Sequence, residues 1–163
     1  MGVRNCSELG ENLQKIVSRL MANDRLVNLL YYTNKDPLSQ PGLTDKEKED
    51  LVFEKLIKIV PRIGPKEDAK SIIVVKAVKA TKIPGNTEFK DIKIQVEVIV
   101  PLTQWFIKDT NLRPFLIMGE IEKSLNGKTI NGLGKIQGGD FDTNFYTDEV
   151  SNFEQTFWIT SYE

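Results

Sequence analysis

Two carboxylates spaced two residues apart are the part of this sequence best suited to chemistry. Asp140 and Asp142 flank Phe141, and alternate residues of a strand lie on one face of a sheet, so the pair could bind Mg²⁺ or share a proton. The neighbouring glycines and Asn144 favour a solvated loop instead. The spacing also lacks the further oxygen ligands and the terminal Glu of a Ca²⁺ loop. We therefore predict a loop or a bulged strand edge here and no metal site.

Histidine is absent from all 163 residues. Its absence removes the Ser-His-Asp and Cys-His catalytic arrangements and the commonest acid–base group near neutral pH. Cys6 is the single cysteine, so it cannot form an intramolecular disulfide. A hydrolase that uses Asp140 and Asp142 is the enzyme alternative. The residue types nevertheless predict a protein that is not an enzyme and holds no cofactor.

The glycine spacing near residues 132–139 does not indicate a nucleotide site. A dinucleotide-binding fingerprint has the form G-x-G-x-x-G and opens a helix. Gly132, Gly134 and Gly138 are instead spaced G-x-G-x-x-x-G within strand-like sequence. We expect these glycines to allow bulges or a close approach of two backbones.

Charge and hydropathy limit the range of partners. The chain has 22 Lys and Arg residues against 23 Asp and Glu residues, a net charge of −1, which argues against a nucleic-acid-binding face of bulk positive charge. No run approaches the roughly 18 apolar residues that span a bilayer. The amino-terminal residues carry no apolar segment, so we expect neither a secretory signal nor a membrane partner.

Adjacent aromatic residues indicate a protein-binding surface. Neighbouring side chains of a strand or helix cannot all face inward, and exposed aromatic groups among polar ones are typical anchors of protein interfaces. In the last strand, Trp158 is predicted to point away from the face that holds Phe153 and Phe157. The predicted interface residues are Tyr31, Tyr32, Ile83, Asn86, Trp105, Phe106, Asp140, Phe141, Phe145 and Trp158.

Four helical segments are predicted from apolar periodicity and capping residues. Ser7 is placed as the cap of the first helix, and Asn23 or Asp24 as the cap of the next. Thr44 and Glu47 match the capping box of a helix that carries Leu56 and Ile57 and ends before Pro61. A later helix over residues 114–126 begins at a proline and stops at Asn126-Gly127.

The strands and helices together predict an α+β domain. Residues 71–79 are rich in β-branched side chains, and residues 92–100 alternate apolar and polar, as in an antiparallel hairpin. We predict an antiparallel β-sheet of about four strands with one covering helix (114–126) and an N-terminal helical segment. The whole chain, 1–163, is expected to be one domain, with residues 1–62 helical and residues 70–163 forming the sheet-plus-helix core.

This order of elements resembles the neck and tail-completion proteins of tailed bacteriophages, particularly the tail-terminator type. The residues that carry the resemblance are the hairpin strand 92–100, Arg113-Pro114 at a helix start, Gly127, and the glycine-spaced segment 129–134. The similarity spans roughly residues 70–160. Proteins of this type share a sheet-plus-helix domain and assemble as rings, usually six-fold, between head connector and tail tube.

The resemblance implies a structural virion protein of the head–tail neck, a tail terminator or connector subunit that joins tail to capsid. Its partners would be further copies of itself, in a ring of about six, and neighbouring neck or tail-tube proteins, with DNA only passing through the lumen. The segments 81–89 and 138–151 would contact the layers above and below. It would be made in the host bacterial cytoplasm. A monomeric adaptor that binds one host partner through its amino-terminal helices is the other alternative.

Overall fold

A computed structural model describes residue 3 and residues 5–60, 70–85, 90–130 and 133–160. Within these residues there are four α-helices: α1 (Leu9–Met21), α2 (Asp24–Tyr31), α3 (Asp45–Leu51) and α4 (Arg113–Leu125). The same residues form eight strands: β1 (Ile57–Lys58), β2 (Ile72–Lys82), β3 (Lys90–Pro101), β4 (Phe106–Ile107), β5 (Asn111–Leu112), β6 (Thr129–Ile130), β7 (Gly134–Tyr146) and β8 (Val150–Thr160).

The main sheet is curled and mixed. Six of the described strands form it in the order β1-β2-β3-β8-β7-β6, and β4 pairs with β5 separately. β1 runs parallel to β2, and the remaining neighbours are antiparallel. The prediction of about four antiparallel strands with one covering helix is therefore wrong, although the chain is α+β. β1 and β6 have two residues each, which is too short for any hydrophobic period to show.

The core lies between one face of the sheet and the helices. The predicted alternation of β3 is confirmed, because Ile92, Ile94 and Val98 are buried and lie opposite Ile159, Phe157 and Phe153 of β8. Residues of α1, α2 and α4 complete the same apolar cluster. Several helices, and not α4 alone, cover the sheet.

Two of the predicted helix starts are confirmed and one is wrong. The Asn23 side chain accepts a hydrogen bond from the Leu26 amide, and Thr44 and Glu47 form the full capping box. Ser7 does not cap α1, because it lies inside a short 3-10 turn that Asn5 caps.

The helix after Thr44 is shorter than predicted. α3 ends at Leu51, and Glu54 adopts a left-handed conformation with φ 57°. That conformation stops a right-handed helix. Ile57 and Lys58 then join the sheet as β1. The later stop is confirmed, since Gly127 follows α4 with φ 74°.

Of the two predictions for the segment that begins at Gly138, the loop is wrong and the bulged strand is confirmed. β7 continues to Tyr146, and a short turn then leads into β8 at Val150. The expectation that these glycines allow bulges is confirmed, because Gly138 and Gly139 form a bulge against β8, where the register shifts between Gly138 and Asp140. A Cβ on Gly138 would lie 2.5 Å from the Thr156 carbonyl oxygen, so the two backbones approach closely at this point.

Candidate protein-binding surface

Five aromatic side chains meet where β7, β8 and the start of α4 converge. Phe153 is buried at the centre, with its ring centroid 5.6 Å from that of Phe115 and 5.8 Å from that of Tyr146. The rings of Phe141 and Trp105 lie 5.9 and 6.1 Å from it. Most of these pairs are tilted or edge-to-face, the arrangement that aromatic quadrupoles favour. We call these five residues the aromatic surface.

Much of the aromatic surface faces solvent. Tyr146 is 54% exposed, Phe141 is 47% exposed and Phe115 is 42% exposed. Covering one such half-exposed ring with a partner gains about 1 kcal/mol or more, at roughly 25 cal/mol per Å² of apolar area. A contiguous exposed group of large aromatic side chains is typical of an interaction site and not of an inert surface.

Hydrogen bonds hold Trp105 in place within this surface. The indole Nε1–H donates to Ser151 Oγ at 2.9 Å, and the Trp105 carbonyl accepts from the Arg113 amide at 2.8 Å. Ser151 Oγ in turn donates to the Val100 carbonyl at 3.1 Å. The ring is therefore fixed before any partner arrives, which lowers the entropy cost of binding.

Arg113 anchors the segment that carries Trp105. Its guanidinium is fully buried and donates to the carbonyl oxygens of Gln104 at 2.8 Å, Tyr32 at 2.8 Å and Asn34 at 2.7 Å, and also to that of Leu29. Burial lowers the pKa of Arg113 to about 10, so the group remains charged at neutral pH. The end of α2 and the segment before Trp105 are thus joined through one side chain.

The structure places only part of the predicted interface in the aromatic surface. Trp105 and Phe141 belong to it. Phe106 is 70% exposed, but the described ring contacts do not include it. Phe145 lies opposite Asn152 on the other face of the sheet. Trp158 is also on that face, as predicted, with Lys93 Nζ 5.3 Å from its ring centroid.

The remaining predicted interface residues lie elsewhere. Tyr31 and Tyr32 pack edge to face at 5.0 Å, and the Tyr32 hydroxyl donates to the Pro41 carbonyl. Ile83 follows β2 and is half-buried, and Asn86 lies outside the described residues. Asp140 is exposed on β7.

Sequence analysis missed Phe115 and Tyr146 as surface residues. Neither residue is among the predicted interface residues. A usable signal was the spacing of Phe141, Tyr146 and Phe153 around a short turn, which brings aromatic residues together once β7 and β8 pair as a hairpin.

Asp140 and Asp142 share the outer face of β7, as alternate strand residues do. They lie opposite Thr156 and Glu154, and both are exposed. In the described part of the chain, no three His, Cys, Asp or Glu side chains are grouped so that they could hold a metal ion. The nearest ion pairs on this face join Lys76 to Glu97 at 3.4 Å and to Glu154 at 3.8 Å.

A shallow cleft lies beside the loop between β4 and β5. It has a volume of about 180 Å³ and is lined by Lys35–Ser39 and by Ile107, Lys108, Asp109 and Asn111. Pockets for small organic ligands usually enclose about 300–1,000 Å³. The cleft is therefore a weaker candidate site than the aromatic surface.

A family model for YomW matches residues 23–154. The chain belongs to the YomW family. This family is phage-derived, which is consistent with a phage protein. No curated protein and no solved structure matches the chain.

The YomW match includes the whole aromatic surface together with Arg113, and it begins at the cap of α2, after α1. Across the described ranges, the longest helices have 13 residues, and none is long and apolar enough to cross a membrane.

Proposed function

We propose that this phage protein is a structural subunit of the head–tail neck, of the tail-terminator or connector type, and that it joins tail to capsid by binding other protein subunits. It acts without catalysis or a cofactor. The phage-derived family supports a role in phage assembly. The exposed aromatic surface is the observation that supports binding to other proteins.

The aromatic surface suits a lasting protein contact better than a transient one. Its anchors are large rings with few rotatable bonds, and hot spots of protein interfaces are enriched in such residues. Phe153 and the hydrogen-bonded Trp105 fix the floor of the surface, while Phe115, Phe141 and Tyr146 offer apolar area to a partner. The partner we assign to it is the adjoining protein of the neck.

The assembly we propose is a ring of about six copies within the virion, in which each copy contacts the next through different surfaces. DNA passes through the lumen without being bound in a site. The protein is made in the host cytoplasm and becomes part of the particle.

Deleting the gene from the phage that encodes it tests this proposal. We expect electron microscopy to show DNA-filled heads and separate tails, with joining restored when the wild-type gene is supplied in trans. Joined, infectious particles made without the gene would contradict the neck role. Loss of all heads or of all tails would also contradict it, because that defect lies earlier in assembly.

A further inference from the structure

Both long edges of the main sheet lack a strand partner over most of their length in the described residues. β6 pairs only with Gly134 and Lys135 of β7, and β1 pairs only with Ile73 and Val74 of β2. No described strand therefore pairs with the outer edges of residues 139–146 and 75–82; just before the first of these segments, the Gly138 amide donates to Asn126 Oδ1 at 3.2 Å. An open edge can pair with a strand of another chain. Proteins usually block such edges with charges, prolines or covering segments unless the edge serves as a binding site.

The two open edges carry opposite charge. On the face away from the helices, β7 presents Asp140 and Asp142, and β2 presents Lys79 and also Lys76, which pairs with Glu97 and Glu154 of its own copy. Two β7 edges would repel each other, and so would two β2 edges. A β7 edge meeting a β2 edge brings unlike charges together. This pattern disfavours a two-fold dimer through like edges and favours a head-to-tail contact.

Strand direction agrees with the same contact. The strands β2, β3, β8 and β7 alternate in direction across the sheet. Placing β2 of a second copy beside β7 continues this antiparallel order and keeps the helices on the same side. A rotation about an axis roughly along the strands relates copies in this way, as in a ring.

We propose that β7 of one copy pairs antiparallel with β2 of the next copy, so that the ring is joined through its sheets. The inference rests on the ring-forming function proposed above and assigns its contact. The register that matches faces and charges sets Lys79 opposite Asp140 and Lys76 opposite Asp142.

Side-chain size and backbone bulges fit this register. It sets Ala77 opposite Phe141 and Ala80 opposite Gly138, and all four lie on the helix-covered face. β2 has its bulge between Ala77 and Lys79, and β7 has one between Gly138 and Asp140. Because each strand contains one extra residue, the pairing register is the same on both sides of the two bulges. Small alanines leave room for Phe141, and the neighbouring copy would cover part of the aromatic surface.

Disulfide trapping tests the register. In a Cys6→Ser background, we expect the double variant Lys79→Cys with Asp140→Cys to form disulfides between copies. Non-reducing gel electrophoresis should then show a series of covalent oligomers up to the size of the closed ring. Paired strand residues bring their Cα atoms within the roughly 4.4–6.8 Å that a disulfide needs. Lys79→Cys with Asp148→Cys, at the turn beyond the paired segment, is the matched control. Cross-linking of the first pair no stronger than that of the control overturns the proposal.

Charge reversal gives a second readout by native mass spectrometry. Asp140→Lys, and separately Lys79→Glu, should each weaken self-association by about ten-fold. Mixing the two variants should restore it, because each remaining contact again joins unlike charges. If both charge-reversed variants still form rings as the wild type does, the edge contact is wrong, but the neck role is not contradicted. A strict monomer that also fails to cross-link overturns the edge contact, and head–tail joining then tests the neck role separately.

Discussion

At the scale of single residues, Arg113 links the fold to the aromatic surface. It is buried without a carboxylate partner among the described ion pairs, and its charge is balanced by backbone carbonyl dipoles from two separate segments. A guanidinium can do this because its donors point in several fixed directions at once. Lysine has the same charge but one compact donor group, so it cannot reach the same set of acceptors.

Arg113→Lys should therefore lower the free energy of unfolding by about 3 kcal/mol, because buried carbonyls lose their partners. Urea denaturation followed by circular dichroism measures this change. Arg19→Lys is the matched control, since Arg19 is exposed and donates one bond, to the Ser124 carbonyl, and it should change stability by less than about 0.5 kcal/mol. Equal effects at both positions would contradict the anchoring role of Arg113.

Glu120 makes stability depend on pH. Burial alone would raise the pKa of Glu120, but hydrogen bonds from Asn23, Arg25 and Lys123 outweigh it and hold that pKa below its usual range. A carboxyl whose pKa is lower when folded stabilises the fold fully above the unfolded pKa of about 4.3, and the contribution disappears as pH falls through the folded pKa.

Glu120→Gln should consequently lower the free energy of unfolding by on the order of 1 kcal/mol at pH 7 and by much less at pH 3. Thermal unfolding of both proteins across this pH range measures the difference. Glu11→Gln is the control, because Glu11 is exposed and forms only a surface ion pair with Lys15. A difference in stability between wild type and Glu120→Gln that stays the same from pH 7 to pH 3 would contradict this role of Glu120.

The aromatic surface was only partly predictable at the residue scale. Aromatic residues beside each other in sequence indicated exposure of Trp105 or its neighbour, and Phe141 was also selected. Phe115 and Tyr146 meet these residues only through the packing of α4 on the β7–β8 hairpin. No local pattern encodes that contact, because it depends on register and on where a distant helix lies.

At the scale of elements, the bulge in β7 sets which residues reach the edge and the aromatic surface. Gly138 has φ 132°, a conformation that is essentially limited to glycine, and its α-carbon faces the backbone of Thr156 and Phe157. The bulge keeps Asp140 on the outer face and Phe141 on the inner face.

Gly138→Ala should destabilise the protein by about 2–4 kcal/mol, since strain adds to a backbone clash. Gly85→Ala provides the control, because Gly85 also has a positive φ, of 80°, yet nothing lies within 4 Å of the added Cβ. Its cost should stay near 1 kcal/mol. If chemical denaturation shows that the two variants lose similar amounts of stability, the positive φ alone explains the need for glycine at position 138, and the close approach to Thr156 does not contribute.

Long, strongly periodic elements could be predicted, and short or edge elements could not. The alternation of β3, the capping box at Thr44 and the glycine stop at Gly127 depend on local chemistry. β1 is two residues long and forms because β2 offers it an edge. β7 crosses a glycine- and asparagine-rich segment that looks like a loop, and pairing with β8 overrides that local preference.

At the scale of the whole molecule, two kinds of surface have different tasks in the proposed assembly. The sheet edges join copies to one another and cover Phe141, and the rest of the aromatic surface receives the adjoining neck protein. The core draws on α1 and α2 as well as on the sheet, so removing residues 1–60 would expose much of the sheet to water.

Phe115→Ser with Tyr146→Ser should leave the melting temperature within a few degrees of wild type, because about half of each residue is exposed. The double variant should nevertheless fail to restore head–tail joining in phage that lacks the gene. Phe53→Ser is the control, as an exposed phenylalanine outside the aromatic surface, and it should restore joining. Full complementation by the double variant would contradict the role of this surface.

The most direct test of the account is to count this protein in purified phage particles, using mass spectrometry with isotope-labelled peptides. A neck subunit that forms one closed ring predicts about six copies in each particle. Fewer than about one copy per particle would contradict a structural place in the virion, whatever the chain binds elsewhere.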